Sequence, residues 1–141
     1  MTAKSIVKNY DEIIRQAETP EDRRAREIAL EVIAAAIVEV DPAKCIERSL
    51  RIRDGKLFVE GYEIDLTKFR NIYVVGGGKA SGRMAEALEK ILGDKITYGF
   101  VNILKGTKNQ FKTSKIELNE AAHPIPDENG RRGAEKIVEI V

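Results

Sequence analysis

Ile72-Tyr73-Val74-Val75 runs into Gly76-Gly77-Gly78-Lys79, and Ala80-Ser81-Gly82-Arg83-Met84 follows with the character of a helix start. A glycine-rich strand-to-helix turn lets the backbone come close to a ligand, because no Cβ stands in the way. The helix start adds unpaired N–H groups and a partial positive charge. Lys79 is placed to join those donors around an anion, so the chemistry to expect is that of a phosphate or a carboxylate. A tight turn carrying a solvated lysine is the plainer alternative. Three successive glycines cost conformational entropy that such a turn does not require.

Two familiar glycine loops do not fit. A P-loop needs Gly, four residues, then Gly-Lys-Ser/Thr. Here Tyr73 occupies the first glycine position and Ala80 the position of the magnesium-binding hydroxyl. A dinucleotide fingerprint needs Gly-x-Gly-x-x-Gly/Ala and an acid at the end of the next strand. Ser81 stands at the third position, and the next apolar strand ends at Leu104-Lys105 without a carboxylate. The loop is a glycine-rich anion loop of another kind, with Gly76, Gly77, Gly78 and Ser81 as candidate binding residues and Lys79 as the candidate catalytic cation.

His123, the one histidine, sits in Ala122-His123-Pro124-Ile125-Pro126-Asp127. A lone histidine is usually a surface or hydrogen-bonded residue. Its position after a strand, in a turn stiffened by two prolines, makes it a further binding candidate. It cannot build a histidine-rich metal site, and no metal ligands are assigned. Asp127 is most simply a helix N-cap.

The elements that must position these residues are legible in outline. Lys4 to Ala17 reads as one amphipathic helix. Thr19-Pro20-Glu21-Asp22 is a cap-plus-proline start for a helix to about Val40, with Ile28, Ala29, Val32, Ile33, Ala36, Ile37 and Val40 as its expected buried stripe. Asp41-Pro42 starts a short helix to about Glu47. Asp54-Gly55 between alternating apolar residues predicts a hairpin, its second arm ending at Gly61, with a turn from Thr67 to Asn71.

From Ile72 strands and helices alternate: Ile72–Val75, a helix Ala80–Leu92 with Met84, Leu88, Ile91 and Leu92 inward, Tyr98–Leu104, Ile116–Ala121, and a helix from Asp127. The expectation is α/β, a partial Rossmann-like doubly wound parallel sheet preceded by N-terminal helices and a β-hairpin. Residues 1–71 form the packed preamble and 72–141 the first part of the sheet domain. Ligands bind such sheets beyond the carboxyl ends of the strands, where both Gly76–Lys79 and His123 fall. Ala134, Ile137, Val138 and Val141 form an apolar stripe without a C-cap, which reads as a domain cut off or as a self-associating surface.

Composition narrows the function classes. Twenty-four basic residues against 23 acidic ones give a net charge of +1, which argues against nucleic-acid binding by bulk electrostatics. The single cysteine, Cys45, excludes an internal disulfide. No signal peptide is visible, and the longest apolar run, Val32 to Val38, is too short to span a bilayer. A soluble, cytoplasmic protein with no membrane partner is expected.

Val74-Val75-Gly76-Gly77-Gly78-Lys79-Ala80, with Met84-Ala85 one turn on, resembles the Val-Gly-Ala-Gly-Lys-Ala segment of the type II glycerate kinases, the MOFRL family. Ala122-His123-Pro124-Ile125-Pro126-Asp127 resembles that family's Gly-His-Pro-Val-Pro-Asp turn, and the order of the flanking elements agrees. The resemblance implies phosphorylation of D-glycerate to 2-phosphoglycerate with ATP and Mg2+, at a cleft between two domains. It implies that Lys79 is the catalytic positive charge, that Gly76, Gly77 and Gly78 line the cleft, and that His123 lies nearby. Family members run to roughly three times this length. The expectation is an N-terminal portion with little activity alone, completed by the remainder of the enzyme. The alternatives are a stand-alone α/β interaction module and a nicotinamide-dependent hydroxypyruvate reductase, the latter disfavoured by the missing third glycine and ribose-binding acid.

Overall fold

The computed structural model describes residues 2–141. It divides into two compact units, Met1–Asp41 and Pro42–Val141. The division falls at the Asp41-Pro42 cap, earlier than the change of character at residue 72 from which the sequence reading divided the chain.

The first unit holds three helices. The amphipathic stretch expected as one helix is two, α1 (Ala3–Ile6) and α2 (Tyr10–Arg15). Val7 is extended, at φ −89° and ψ 105°, and breaks the run between them. Helix α3 (Pro20–Glu39) begins as expected: Thr19 Oγ1 accepts from the Asp22 amide at 3.1 Å, and proline occupies the first turn. Its packing face differs from the expected stripe. Leu30 and Ala34, one turn apart, are buried with Ala3 and Ile14, whereas Val32 is 63% and Val40 69% exposed, and Ile28, Ile33 and Ile37 are also exposed. A two-helix partner as short as α1 and α2 covers one narrow stripe, set here by the Leu30/Ala34 pair and by Arg26, which bonds Asp22 and the Ile13 carbonyl.

The second unit opens with α4 (Pro42–Ser49) and an antiparallel sheet, β1 (Leu50–Arg53), β2 (Lys56–Val59) and β3 (Tyr62–Asp65). The Asp54-Gly55 turn forms with both residues at positive φ. Glu60-Gly61 repeats that geometry and adds a third strand where the sequence reading ended the hairpin. Glutamate at positive φ is an uncommon choice, so this turn carries a weaker signal than Asp-Gly.

Strands β4 (Tyr73–Gly77), β5 (Tyr98–Leu104) and β6 (Ile116–Ala121) form a parallel sheet in that order. Helix α5 (Ser81–Leu92) covers one face: Ala85 and Leu92 pack with Val101, Ile103, Ile116 and Leu118. Helix α6 (Glu128–Ile140) covers the other, with Gly133 against Asn102 and Asn119. The α/β class and the parallel sheet are as expected. One helix face is not. Met84 is exposed, because Gly82 and Ala85 make the close approach of α5. On α6 the apolar stripe read from the sequence is largely uncovered, with Val138 74% exposed and Ala134 and Val141 also facing out, while Gly133 is buried and Ile137 and Ile140 are half-buried. Glycine rather than the bulkiest apolar residues sets the contact line of α6.

One carboxylate ties α5 to the start of β6. Glu89 accepts from the amides of Ser114 (2.6 Å), Lys115 (3.1 Å) and Ile116 (3.0 Å) and from Ser114 Oγ. Desolvation pushes its carboxyl up, but the hydrogen bonds from Ser114, Ile116 and Lys115 outweigh it and hold the group below its ordinary value. No described helix is long and apolar enough to cross a membrane.

Candidate anion site at the strand ends

Strand β4 delivers the glycine loop to the carboxyl edge of the parallel sheet. Gly78 has φ +130°, a conformation that requires glycine. Gly76 and Gly77 remain in the strand, and a Cβ on Gly76 would meet nothing within 4 Å. The backbone does not force glycine at position 76, so its effect is to leave the space over the strand open.

The loop is fixed from below. The Gly78 amide donates to the Asn102 carbonyl at 3.1 Å, and the Ser81 amide to the Gly78 carbonyl at 3.2 Å. Ser81 Oγ lies 2.5 Å from the Gly78 carbonyl and 2.7 Å from that of Asn102. A hydroxyl has one proton, and here both neighbours are acceptors, so Ser81 closes the loop onto β5. Ala80 provides no side-chain cap for α5. Lys79 is exposed and makes no hydrogen bond or ion pair among the described residues.

The second wall comes from β6. Ala122 and His123 follow its last residue, and the His123–Pro124 peptide is cis. Asp127 caps α6, its carboxylate accepting from the Gly130 amide at 2.9 Å. That bond, the Ala122 amide and the Lys105 charge hold Asp127 below the ordinary carboxylate value. One carboxylate therefore starts α6 and closes the turn that carries His123.

Gly78, Lys79, Asn102, Ala122 and His123 line one cleft of about 110 Å³. This brings together three of the six candidates read from the sequence, Gly78, Lys79 and His123. Gly76, Gly77 and Ser81 instead line a separate, mainly apolar cleft of about 180 Å³ with Val74, Met84, Leu88 and Val101, toward α5. Asn102 was missed by sequence reasoning. A polar residue inside an apolar strand was its only mark, and the partner that explains it, Asn119, lies a strand away. Among the described residues no three His, Cys, Asp or Glu side chains converge as a metal-holding group.

A family model described as a domain of unknown function, DUF4147, matches residues 28–141. The glycerate 2-kinase of Pyrococcus horikoshii is 35% identical over 121 residues, covering 82% of this chain and 25% of that protein. The D-glycerate 2-kinase of Thermotoga maritima is 29% identical, covering 82% and 24%. Among solved structures, a Pyrococcus horikoshii protein superposes with a TM-score of 0.70 at 33% identity, over 82% of this chain and 25% of that one. The Thermotoga maritima glycerate kinase superposes with a TM-score of 0.59 at 26% identity, over 80% and 24%. The chain spans about a quarter of the length of these relatives. With the family model covering most of its residues, the chain belongs to the DUF4147 family, and its relatives include glycerate 2-kinases.

Proposed function

We propose that this chain supplies one wall of the active site of a glycerate 2-kinase, which phosphorylates D-glycerate to 2-phosphoglycerate. The observation that carries the reading is the convergence of Lys79, Gly78 and His123 in a single cleft at the carboxyl ends of three parallel strands. Lys79 is the one of them with a fixed positive charge, and it has no partner among the described residues that would neutralise it. In the reaction it neutralises the substrate carboxylate or the transferring phosphoryl group, since phosphoryl transfer depends chiefly on positioning and charge stabilisation. His123 and the Gly78 backbone orient the triose. Ser81, taken from the sequence as a substrate ligand, acts in this reading by holding Gly78 in place.

The cleft is small against the roughly 300–1,000 Å³ of a pocket for a larger ligand. It suits a triose or one phosphoryl group. ATP would supply that group, its base and ribose lying against residues outside this cleft. Magnesium binds through carboxylate and phosphate oxygens; no described carboxylate lines this cleft, and Asp127 of the adjoining turn is already committed to the Gly130 amide. These residues do not fit a magnesium site of their own.

A site with an exposed lysine on one wall requires a second wall to exclude water and hold the donor. The isolated 141 residues are accordingly expected to turn over far more slowly than the roughly 1–100 per second usual for kinases. The nicotinamide-dependent reductase reading is disfavoured, because β5 ends at Leu104 with Lys105 next, where a ribose-binding acid would stand. The complete protein, incubated with D-glycerate and ATP, should yield 2-phosphoglycerate in the phosphorus NMR spectrum. Only 3-phosphoglycerate, or no phosphorylated triose, would contradict the proposal.

A further inference from the structure

Asn102 lies in β5, in register with Gly77 of β4 and Asn119 of β6. Its backbone carbonyl is committed to the glycine loop, accepting from the Gly78 amide and from Ser81 Oγ. Its side chain has a different role, which follows from how the amide must be oriented. Asn119 Nδ2 is 3.0 Å from the Asn129 carbonyl, an atom that can only accept, so that position on Asn119 must be nitrogen. The same nitrogen is 2.7 Å from the facing side-chain atom of Asn102, which must then be oxygen. Oδ1 of Asn102 therefore points to Asn119, and Nδ2 is left over.

That Nδ2 has no acceptor among the described residues. Asn102 is half-buried, and no described side-chain polar atom of a residue that is not exposed is both sealed from solvent and unpartnered. Nδ2 is thus a free donor that solvent reaches, on a residue lining the cleft with Gly78, Lys79 and His123. An oriented amide donor on a residue that shares a cleft with an unneutralised lysine is suited to an anionic oxygen.

We propose that Asn102 is a ligand-binding residue of this cleft, donating Nδ2–H to a carboxylate or phosphoryl oxygen of the substrate. The proposal rests on the reading of the cleft as the glycerate site. Asn119, held by Asn129 on α6, is the positioning residue that sets the direction of the donor.

Asn102→Asp tests it with little change of shape. An oxygen remains for Asn119 to donate to, while the free donor becomes an acceptor carrying negative charge. In the complete protein, D-glycerate and inorganic phosphate are titrated separately by calorimetry into wild type and variant. In parallel, the Asn102 side-chain amide signals are followed in 15N-labelled wild type. The expected result is at least about tenfold weaker binding of one or both ligands by Asn102→Asp. The melting temperature should stay close to that of wild type, and the wild-type amide signals should move on titration. Movement with D-glycerate alone assigns the donor to the carboxylate end; movement with phosphate alone assigns it to the phosphoryl group. Wild-type binding with stationary amide signals and an unchanged variant affinity would overturn the assignment while leaving the glycerate reading intact. Wild type that binds neither ligand would overturn both. Should the variant fail to fold, the wild-type amide signals decide by themselves.

Discussion

Gly76 and Gly133 are the same residue type in opposite circumstances, and the difference can be measured. A Cβ on Gly76 meets open space, whereas one on Gly133 runs into the Asn102 side chain and lies 2.6 Å from Asn119 Nδ2. Gly133→Ala should therefore cost about 1–3 kcal/mol of stability, as overpacking does, seen as a lower denaturant midpoint with unchanged slope. Gly76→Ala should leave the midpoint within about 0.5 kcal/mol, the range for a substitution that meets nothing, and leave D-glycerate binding unchanged, because Gly76 lines the apolar cleft toward α5 and not the one that holds Lys79. Equal losses of stability in the two variants would contradict the close packing of Gly133. Ser81→Ala removes one hydrogen bond, worth about 0.5–1.5 kcal/mol. Amide hydrogen exchange should be faster at Gly78 and Ser81 and unchanged in α6; exchange unchanged at the loop would remove Ser81 as its latch. Lys79 and His123 were legible in the sequence because strand, turn and residue type coincide there. Asn102 was not, because its meaning depends on Asn119 and Asn129, and no local pattern places three asparagines from different elements together.

At the scale of elements, α5 is locked to β6 by Glu89, and this link gives stability a pH dependence of known sign. The carboxyl is held below its ordinary value in the folded chain, so the folded state favours the ionised form. The contribution is present above the unfolded value of 4.5 and is lost as pH falls through the lower folded value. Glu128, beside Arg131 and Arg132, is pushed down to about 2 and acts in the same direction, though solvent screens this surface cluster. Thermal unfolding followed from neutral pH downward should show a steeper acid loss for wild type than for Glu89→Gln; parallel curves would contradict the role given to Glu89. The parallel strands and the Thr19 and Asp127 caps were legible from local signals. The break at Val7, the Glu60-Gly61 turn and the contact line of α6 were not. Apolar periodicity marks which residues are greasy, whereas the packing face is chosen by which residues permit close approach, here Gly82, Ala85 and Gly133.

For the molecule as a whole, the chain holds a small helical unit and an α/β unit that carries a cleft at the carboxyl ends of its parallel strands. The relatives it matches are about three times as long, and a kinase site needs a place for the nucleotide that a cleft of about 110 Å³ does not offer. Much of the architecture could be read from the alternation of strands and helices. The division at Asp41 could not, since composition changes most visibly at the glycine strand and compactness depends on contacts between distant residues. The most direct test of the central claim is the catalytic efficiency of Lys79→Ala toward D-glycerate in the complete protein. Loss of a charge-assisted interaction of about 1.5–3 kcal/mol should lower kcat/KM by at least about tenfold, and by more than a hundredfold at the upper end. The melting temperature should be unchanged, because the Lys79 side chain supports no described contact. An efficiency equal to that of wild type would remove Lys79 from the mechanism and with it the reading of this cleft as the site of phosphoryl transfer.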